Sequence, residues 1–406
     1  MGVLDAFDSK KRNDPARNAG LVIFMADTAG RQQVEQALQQ LDISDAYIDV
    51  GGIDDIIAHL GKVDTPPQRM IIDISGLTKP LDALDRLADA CDPSVQVYTV
   101  GDRNDVTLYR LLLQAGIADY RYKPITTDAL RLWLDEKDDF SVRQSRSGKV
   151  IAVAGTRGGV GVTTIAAHLA RELTAGGGLR RVVYLDMDYY GGAGTTLLGL
   201  PSNHAMSEAL NNIEALDPQF LERVLTTKDH RLFVLAFNHS YEDEFHAAPG
   251  AIARLMELLS QHFHYLVVDL PDAGGMVANE VFSVASMACI VSDHSIHSGR
   301  VMTQLDAHLK GHMQAPVLHL VLNSTRFPAS SHVSTQEFSQ AVDHPVSLDI
   351  PYDGKFPSLA ENLGEPLAKD SAMRQAVARL ARLLTGEAVG NVNNGSWLSR
   401  LLRKRS

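Results

Sequence analysis

Short apolar runs alternate with longer amphipathic segments along most of this 406-residue chain. Runs such as "LVIFMA", "RMIIDIS" and "YLVVDLP" have the length of buried strands, whereas "RQQVEQALQQL" and "AIARLMELLSQHF" have helical periodicity. Strands that are apolar along their whole length are typical of parallel sheets covered by helices on both faces. The chain is therefore predicted to be an α/β protein with two doubly wound domains.

The charged, Ser-containing segment "DEKDDFSVRQSRSGK" separates two such alternating series. A length of 406 residues also favours two domains over one. We predict a mobile N-terminal segment at 1–18, a first domain at 19–136, a linker at 137–148, a second domain at 149–388, and a linker with a basic tail at 389–406.

Charge and composition exclude several classes of protein. A formal net charge of −11 argues against nonspecific binding to nucleic acid, so we expect no nucleic-acid partner. The two cysteines, Cys91 and Cys289, lack metal-ligand spacing and fit a reducing cytoplasm. The most apolar window, 281–291, is too short to span a bilayer and is interpreted as a helix end followed by a buried strand.

The stretch "VAGTRGGVGVTT" at 153–164 lies between a predicted strand and a predicted helix. Such a turn gathers backbone N–H groups at a helix N-terminus, where they bind an anion. We assign Gly155 and Gly161 to the glycine positions of the phosphate-binding pattern G-x-x-x-x-G-K-[ST], and Thr163 to its last position. Val162 stands where the pattern has lysine. A purely structural glycine turn is the alternative interpretation of the loop alone.

Three aspartates follow predicted strands of the second series. Asp269 ends "YLVVD", and Asp186 and Asp188 lie in "VVYLDMD". Ligands of open α/β sheets bind at the carboxyl ends of the strands, where a carboxylate can hold Mg²⁺ or position water. Each aspartate alone is better explained as a helix cap. Together with the glycine loop, in this chain order, they indicate a nucleotide site.

Residues of about 148–388 resemble the ParA/MinD class of P-loop ATPases, whose deviant Walker A motif is K-G-G-x-G-K-[ST]. The matching segments are "RGGVGVTT", "DMDYYGGAGTTLLGL", "VVDLPDAGG", "VLNSTR" and "IPYDGKFPSLAENLGEPL", in the family's order. The resemblance implies ATP with Mg²⁺, a homodimer, Asp188 as the water-positioning residue, and Mg²⁺ held through Thr163, Asp186 and Asp269. The nucleotide contacts that it implies are Thr156, Arg157, Gly158, Gly159, Val160, Gly161, Val162, Thr163, Thr164, the base-facing Asn323, Pro351, Tyr352 and Asp353.

Two departures from the family pattern affect the chemistry. Arg157 replaces the lysine that reaches across the dimer, and arginine keeps the charge but not the shape of an ammonium. Val162 replaces the lysine that contacts the phosphates, and losing one such preorganised contact typically slows the reaction about 10²–10³-fold. We therefore predict weak or vestigial ATP binding with little or no hydrolysis. The alternative is an active ATPase switch in which Arg157 compensates for Val162.

Residues of about 19–135 resemble a response-regulator receiver. "RMIIDIS" places Asp73 at the end of a strand, where receivers carry the phosphoacceptor, and "AGIADYRYKPIT" supplies Lys123 and the cis-prone Pro124. Receivers also hold Mg²⁺ with an acidic pair after the first strand, but "FMADTAGR" offers only Asp27. Gly101 stands where the switch Ser or Thr is expected. We therefore favour an interaction or dimerisation module over a phosphorylated receiver.

The two halves together resemble the CpaE/TadZ family of tight-adherence (Tad) pilus systems. That resemblance implies a cytoplasmic protein, peripheral at the inner membrane and cell pole, that recruits the Tad/Flp pilus secretion machinery. The segment "SWLSRLLRKR" is predicted to form a basic amphipathic helix that contacts a membrane surface or a partner. A disordered basic tail is the alternative. A DNA-partitioning ATPase and a phosphorelay output protein are the remaining rivals for the function.

Overall fold

We analysed a computed structural model of the chain. It describes residues 19–63, 66–135, 147–175, 180–190, 192–201, 205–213, 224–229, 231–237, 239–240, 242, 247–326 and 333–386. The predicted N-terminal segment and basic tail, and most of the predicted linker at 137–148, lie outside these residues. Below, the first half means residues 19–135 and the second half means residues 147–386.

The first half forms one parallel sheet with the strand order β2-β1-β3-β4-β5. This is the flavodoxin-like order, in which the chain reverses its direction of travel between β1 and β3. The strands are β1 (Leu21–Met25), β2 (Ala46–Val50), β3 (Arg69–Asp73), β4 (Gln96–Gly101) and β5 (Asp119–Tyr122). The helices are α1 (Thr28–Gln40), α2 (Ile53–Leu60), α3 (Pro80–Ala88), α4 (Val106–Gln114) and α5 (Thr127–Asp135).

The second half forms a larger sheet with the order β13-β12-β11-β6-β10-β7-β9-β8. Its strands are β6 (Lys149–Gly155), β7 (Val182–Asp186), β8 (Thr226–Asp229), β9 (Leu232–Ala236), β10 (Tyr265–Asp269), β11 (Met287–Ser292), β12 (Val317–Asn323) and β13 (Val346–Ile350). Its helices are α6 (Val162–Ala175), α7 (Gly194–Leu197), α8 (Ala205–Asn211), α9 (Ala251–Ser260), α10 (Gly275–Val284), α11 (Ile296–Lys310), α12 (Thr335–Val342), α13 (Phe356–Leu363) and α14 (Ala372–Thr385).

The apolar runs of the sequence are the central strands of the two sheets, as predicted. Successive residues of β6 enter different cores: Val150 and Ala152 pack on one face of the sheet, and Ile151 and Val153 on the other. A strand buried on both faces must be apolar at every position. The window at 281–291 divides into the end of α10 and β11, which is buried along its length. The α/β prediction is therefore confirmed, with β8 as an antiparallel edge strand.

Two ion pairs join the halves of the chain at the N-terminal edge of the larger sheet. Arg180, which is 3% exposed, donates to Asp89 across 2.7 Å, and the adjacent Arg181 donates to Asp92 across the same distance. The Arg181 guanidinium also lies 5.0 Å from the centre of the Phe263 ring, within range of a cation–π contact. The receiver-like half thus contacts the strands at the edge opposite the glycine loop.

A buried histidine completes this junction. The Nδ1 of His264 accepts a hydrogen bond from the backbone N–H of Arg181 at 3.0 Å. Its Nε2 therefore carries the proton and donates to the carbonyl of Cys91 at 2.8 Å. Burial lowers the pKa of His264. The neutral ring satisfies one group from each half of the chain.

Candidate nucleotide-binding site

The glycine loop lies between β6 and α6 at the carboxyl edge of the larger sheet. Gly159 and Gly161 have φ angles of +77° and +95°, which favour glycine. A Cβ on Gly161 would also lie 2.6 Å from Nδ2 of Asn323. The spacing corrects one assignment: Thr156, not Gly155, stands five positions before Gly161, with four residues between them as the pattern requires. Gly155 is the last residue of β6.

Val162 is the first residue of α6, so its side chain lies at the helix N-terminus. It is half-buried and packs against the core that lies beneath the loop. A Cβ on Gly155 would lie 2.7 Å from a Val162 methyl, which shows how closely this side chain covers the end of β6. The backbone N–H groups and helix dipole of an anion site are present here. The side chain adds an apolar surface instead of a cation.

Asp186 and Asp269 end neighbouring strands and are directly paired in the sheet register. They are 2% and 3% exposed. Burial and the charge of Asp269 raise the pKa of Asp186 to about 7. Burial likewise raises the pKa of Asp269 to about 6, although the hydroxyls of Tyr184 and Thr163 beside the carboxylate oppose this effect. Two adjacent buried carboxylates repel each other when both are ionised, and a bound cation would offset that repulsion.

A buried carboxylate oxygen of Asp269 that lacks a hydrogen-bond partner within the described part of the chain indicates whether these residues fit Mg²⁺. Oδ2 of Asp269 accepts from the Tyr184 hydroxyl at 2.7 Å, while its buried Oδ1 has no hydrogen-bond partner among the described residues. The Thr163 hydroxyl lies near this carboxylate. Carboxylate and hydroxyl oxygens are ligands that Mg²⁺ accepts, usually together with phosphate oxygens and water. The arrangement therefore fits the cation that the sequence predicts.

Asp188, the expected water-positioning residue, follows β7 and is half-buried. Its Oδ1 accepts from the backbone N–H of Tyr190 at 3.1 Å, and its own N–H donates to Asp186 at 3.1 Å. These bonds fold the start of the segment after β7 around the carboxyl edge. Asp188 is thereby held beside the acidic pair.

Arg157 lies on the outer side of the loop, with half of its side chain exposed. It forms an ion pair with Asp293, which follows β11. Asp293 also accepts from the hydroxyls of Ser295 and Ser298, both at 2.6 Å. Burial alone would raise the pKa of Asp293, but these hydroxyls and Arg157 lower it. The cation expected to reach a second copy is therefore bound within its own chain.

The residues expected around the base lie together at the other side of the loop. A cavity of about 130 Å³ is lined by residues of the loop and of the segments after β12 and β13, namely Gly161, Thr164, Asn323, Ser324, Thr325, Pro351, Tyr352, Asp353, Gly354, Pro357, Ser358 and Met373. Asn323 is 4% exposed, and its Nδ2 donates to the carbonyl of Val160 at 2.8 Å. In this structure the side-chain amide of Asn323 therefore binds the glycine loop.

Asp353 has a local partner as well. Its carboxylate accepts from the Ser371 hydroxyl at 2.5 Å and from the backbone N–H groups of Ala372 and Met373, each at 3.2 Å. These N–H groups are at the start of α14, so the carboxylate caps that helix. Pro351 and Tyr352 are exposed beside it. The segment expected to close over a nucleotide is thus anchored to a helix N-terminus.

The receiver-like pocket contains Asp73, Lys123 and Asp27 at the carboxyl edge of the smaller sheet. The Lys123 ammonium lies 2.5 Å from Oδ2 of Asp73 and 3.9 Å from Oδ2 of Asp27. Oδ2 of Asp73 also accepts from the N–H of Ala26 at 3.0 Å, and Oδ1 accepts from the N–H and hydroxyl of Ser75. Burial acts to raise the pKa of Asp73, but these donors outweigh it and lower the pKa.

We predict that Asp73 does not accept a phosphoryl group. Both of its oxygens are bound, and an ammonium already lies between the two carboxylates. Incubation with acetyl phosphate and Mg²⁺ should leave the intact mass of the protein unchanged, as in the matched variant Asp73→Asn. A phosphoryl adduct on the wild type that is missing from Asp73→Asn would contradict this prediction.

Several residues of the site have no signal in the sequence motifs. Tyr184 lies inside an apolar strand and looks like a core residue until its hydroxyl is seen to meet Asp269. Asp293 looks like a loop residue until it meets Arg157. Gly192 and Gly194 provide space for the acidic pair, because a Cβ on either would overlap Asp186. Their position in a glycine-rich segment just after Asp188 was the one available clue.

A phosphate-type glycine loop, an acidic pair and a base-side cavity at the carboxyl edge of a parallel sheet define a P-loop NTPase site. A family model described as ParA, the NUBPL iron-transfer P-loop NTPase, matches residues 146–381. This match spans more than half of the chain, so the protein belongs to the ParA family of P-loop NTPases.

Individual relatives are similar to the second half. The septum site-determining protein MinD of Bacillus subtilis (strain 168) is 26% identical over 247 residues, which are 60% of this chain and 91% of that protein. The structure of MinD complexed with Mg-ADP from Pyrococcus horikoshii OT3 has a TM-score of 0.51 and 19% identity, covering 58% of this chain and 96% of that one. The latter likeness shows the fold alone.

A second structure overlaps a smaller region. The pilus assembly protein CpaE from Caulobacter crescentus CB15 is 28% identical and covers 27% of this chain and 86% of that chain, with a TM-score of 0.24. Within the described residues, no helix is both long and apolar enough to cross a membrane.

Proposed function

We propose that this protein is a dimeric localisation and scaffold protein of the Tad pilus system that binds ATP with Mg²⁺ and hydrolyses it slowly or not at all. The observation that carries the proposal is an apolar Val162 at the start of α6 in a site that keeps Asp186, Asp188 and Asp269. Phosphoryl transfer depends on positioning and on electrostatic stabilisation of the phosphate oxygens. A site that binds ATP without consuming it suits a marker of position.

Each part of the site has a role in binding. The backbone N–H groups of the loop and the N-terminus of α6 bind the phosphates. Thr163, Asp186 and Asp269 hold the cation, and bound Mg²⁺ would neutralise part of the phosphate charge. Asn323 holds the loop through Val160. Tyr352 and its neighbours border the cavity for the base.

The dimer forms through the face that carries the glycine loop. Exposed apolar side chains adjoin site residues along the chain: Tyr190 is 45% exposed, Met276 is 48% exposed and Ile296 is 71% exposed. Arg157 reaches the second copy only by leaving Asp293, so its ion pair is exchanged when the dimer forms. In this proposal the receiver-like half, in whose pocket Lys123 pairs with Asp73, provides a second interface.

The Tad assignment depends on the sequence. It rests on the fusion of a receiver-like half to a ParA-like half and on the stretch "VGDRNDVTLYRLLLQAGIADYRYKP". The partners are then the Tad/Flp secretion ATPase or inner-membrane components, and the protein is cytoplasmic at the inner membrane and cell pole. A fluorescent fusion should form a polar focus with and without ATP-site substitutions. The same fusion lacking 389–406 tests whether the basic tail docks the protein there.

The nucleotide proposal is tested by separating binding from turnover. Titration of the wild-type chain with a fluorescent ATP analogue should show saturable binding that increases with Mg²⁺. Phosphate release should stay near the background of the variant Asp188→Ala. Robust steady-state hydrolysis by the wild type, abolished by Asp188→Ala, would overturn the proposal.

An active ATPase switch is the second candidate, and the retained Asp188 favours it. In that case Arg157 supplies the missing cation, and ATP drives dimerisation followed by hydrolysis. Turnover that rises with protein concentration would support this candidate. A DNA-partitioning role has the net charge of −11 against it, and a salt-dependent DNA-binding assay decides the matter.

A further inference from the structure

We infer that Tyr184 is a positioning residue for Asp269: its hydroxyl holds one carboxylate oxygen so that the other is directed toward the cation of the nucleotide site. The inference rests on the proposed binding of ATP with Mg²⁺. It assigns a function to a tyrosine that sequence reasoning places in the core.

Burial and geometry support the assignment. Tyr184 is fully buried in β7, and its hydroxyl donates to Oδ2 of Asp269 at 2.7 Å. Tyr184 pairs with Val267 in the register, so the ring reaches along the neighbouring strand β10 to the end of that strand. Oδ1 of the same carboxylate is buried without a partner among the described residues. One oxygen is thus fixed, and the other stays available.

The chain leaves space for this contact. A Cβ on Gly194 would overlap the Tyr184 hydroxyl and would lie 2.6 Å from Oδ2 of Asp186. The backbone N–H of Gly194 instead donates to that Asp186 oxygen at 3.2 Å. The segment after β7 therefore passes close to both carboxylates, with a glycine at the closest point. A ring used only for packing would not need its hydroxyl at this point.

The test removes the hydroxyl and keeps the ring. In the full chain, Tyr184→Phe should lower the affinity for an ATP analogue about tenfold in saturating Mg²⁺, as expected for loss of a hydrogen bond to a charged group. In EDTA its affinity should equal that of the wild type, because the phosphates still meet the loop. The matched control is Tyr98→Phe, a buried tyrosine of the first half whose hydroxyl meets Gln96.

The outcomes separate this inference from the proposal beneath it. If the wild type shows no Mg²⁺-dependent binding, the proposed function fails and the role of Tyr184 fails with it. If the wild type binds and Tyr184→Phe matches it in Mg²⁺, or weakens equally in EDTA, the positioning role alone is overturned. Circular dichroism and thermal unfolding check that the variant folds. Should it not fold, Gly194→Ala displaces the hydroxyl while keeping the tyrosine, and unchanged Mg²⁺-dependent binding there overturns the inference.

Discussion

Replacing Val162 with lysine should raise the rate of ATP hydrolysis about 10²–10³-fold, the usual effect of one preorganised contact to the developing charge. The side chain at this position lies at the N-terminus of α6, directly above the end of β6. An ammonium there would meet the phosphates that the loop N–H groups already bind. Steady-state phosphate release, measured for both proteins in saturating Mg²⁺ and ATP, checks the prediction.

The control for Val162→Lys is Val162→Met, which has a long unbranched side chain without the charge. We expect Val162→Met to leave turnover at the wild-type level, and the double variant Val162→Lys/Asp188→Ala to remove the gain. An equal gain in Val162→Met would assign the effect to packing. No gain in Val162→Lys would mean that the site is deficient in more than this one contact.

Low pH should destabilise the second half through His168, a buried histidine of α6, the helix that begins at Val162. His168 of α6 is 3% exposed, and its Nε2 has no hydrogen-bond partner among the described residues. Burial, together with the charges of Arg171 and Arg374, lowers the pKa of His168 to about 4. The folded state therefore binds fewer protons than the unfolded state, whose histidine titrates near pH 6.5. Stability contributed by the neutral ring is complete above that pH and is lost as the pH falls toward 4.

The loss should approach about 3 kcal/mol, since each unit of pKa difference corresponds to about 1.4 kcal/mol. Urea unfolding at pH 7, 5 and 4 measures it, and His168→Gln should flatten the dependence. His294→Gln is the opposite control: its hydrogen bond to Asp349 raises the pKa of His294, so that histidine favours the folded state at low pH. Identical pH profiles for the wild type and His168→Gln would contradict the prediction.

The linear sequence predicted most of the fold correctly. The central strands of the second half are recognisable because burial on both faces makes them apolar at every position. Edge strands were missed for the opposite reason. β2 is half-buried at every residue, and β8 pairs on one side in the antiparallel sense, so neither has an uninterrupted apolar run. A partly exposed strand has no pattern strong enough to separate it from a loop.

Part of the candidate site can be recognised from the sequence, where the types and spacing of neighbouring residues indicate its chemistry. The glycine loop, Asp186, Asp188 and Asp269 are recognisable because a phosphate site needs flexible backbone and a cation site needs carboxylates after strands. Asn323 and Asp353 were also named from the sequence. Their present hydrogen bonds, to Val160 and to the start of α14, were not predictable. Such bonds depend on which segments the fold brings together.

The order of residues was therefore sufficient for the α/β class, the phosphate-type loop and the absence of its lysine. Packing decided the pairings between distant segments: Tyr184 with Asp269, Arg157 with Asp293, and His264 with Cys91. A hydroxyl, a guanidinium and an imidazole each form hydrogen bonds with many kinds of partner, so residue type does not name the partner. Burial makes the choice, because a polar group removed from water must find a partner among the groups that the fold places beside it.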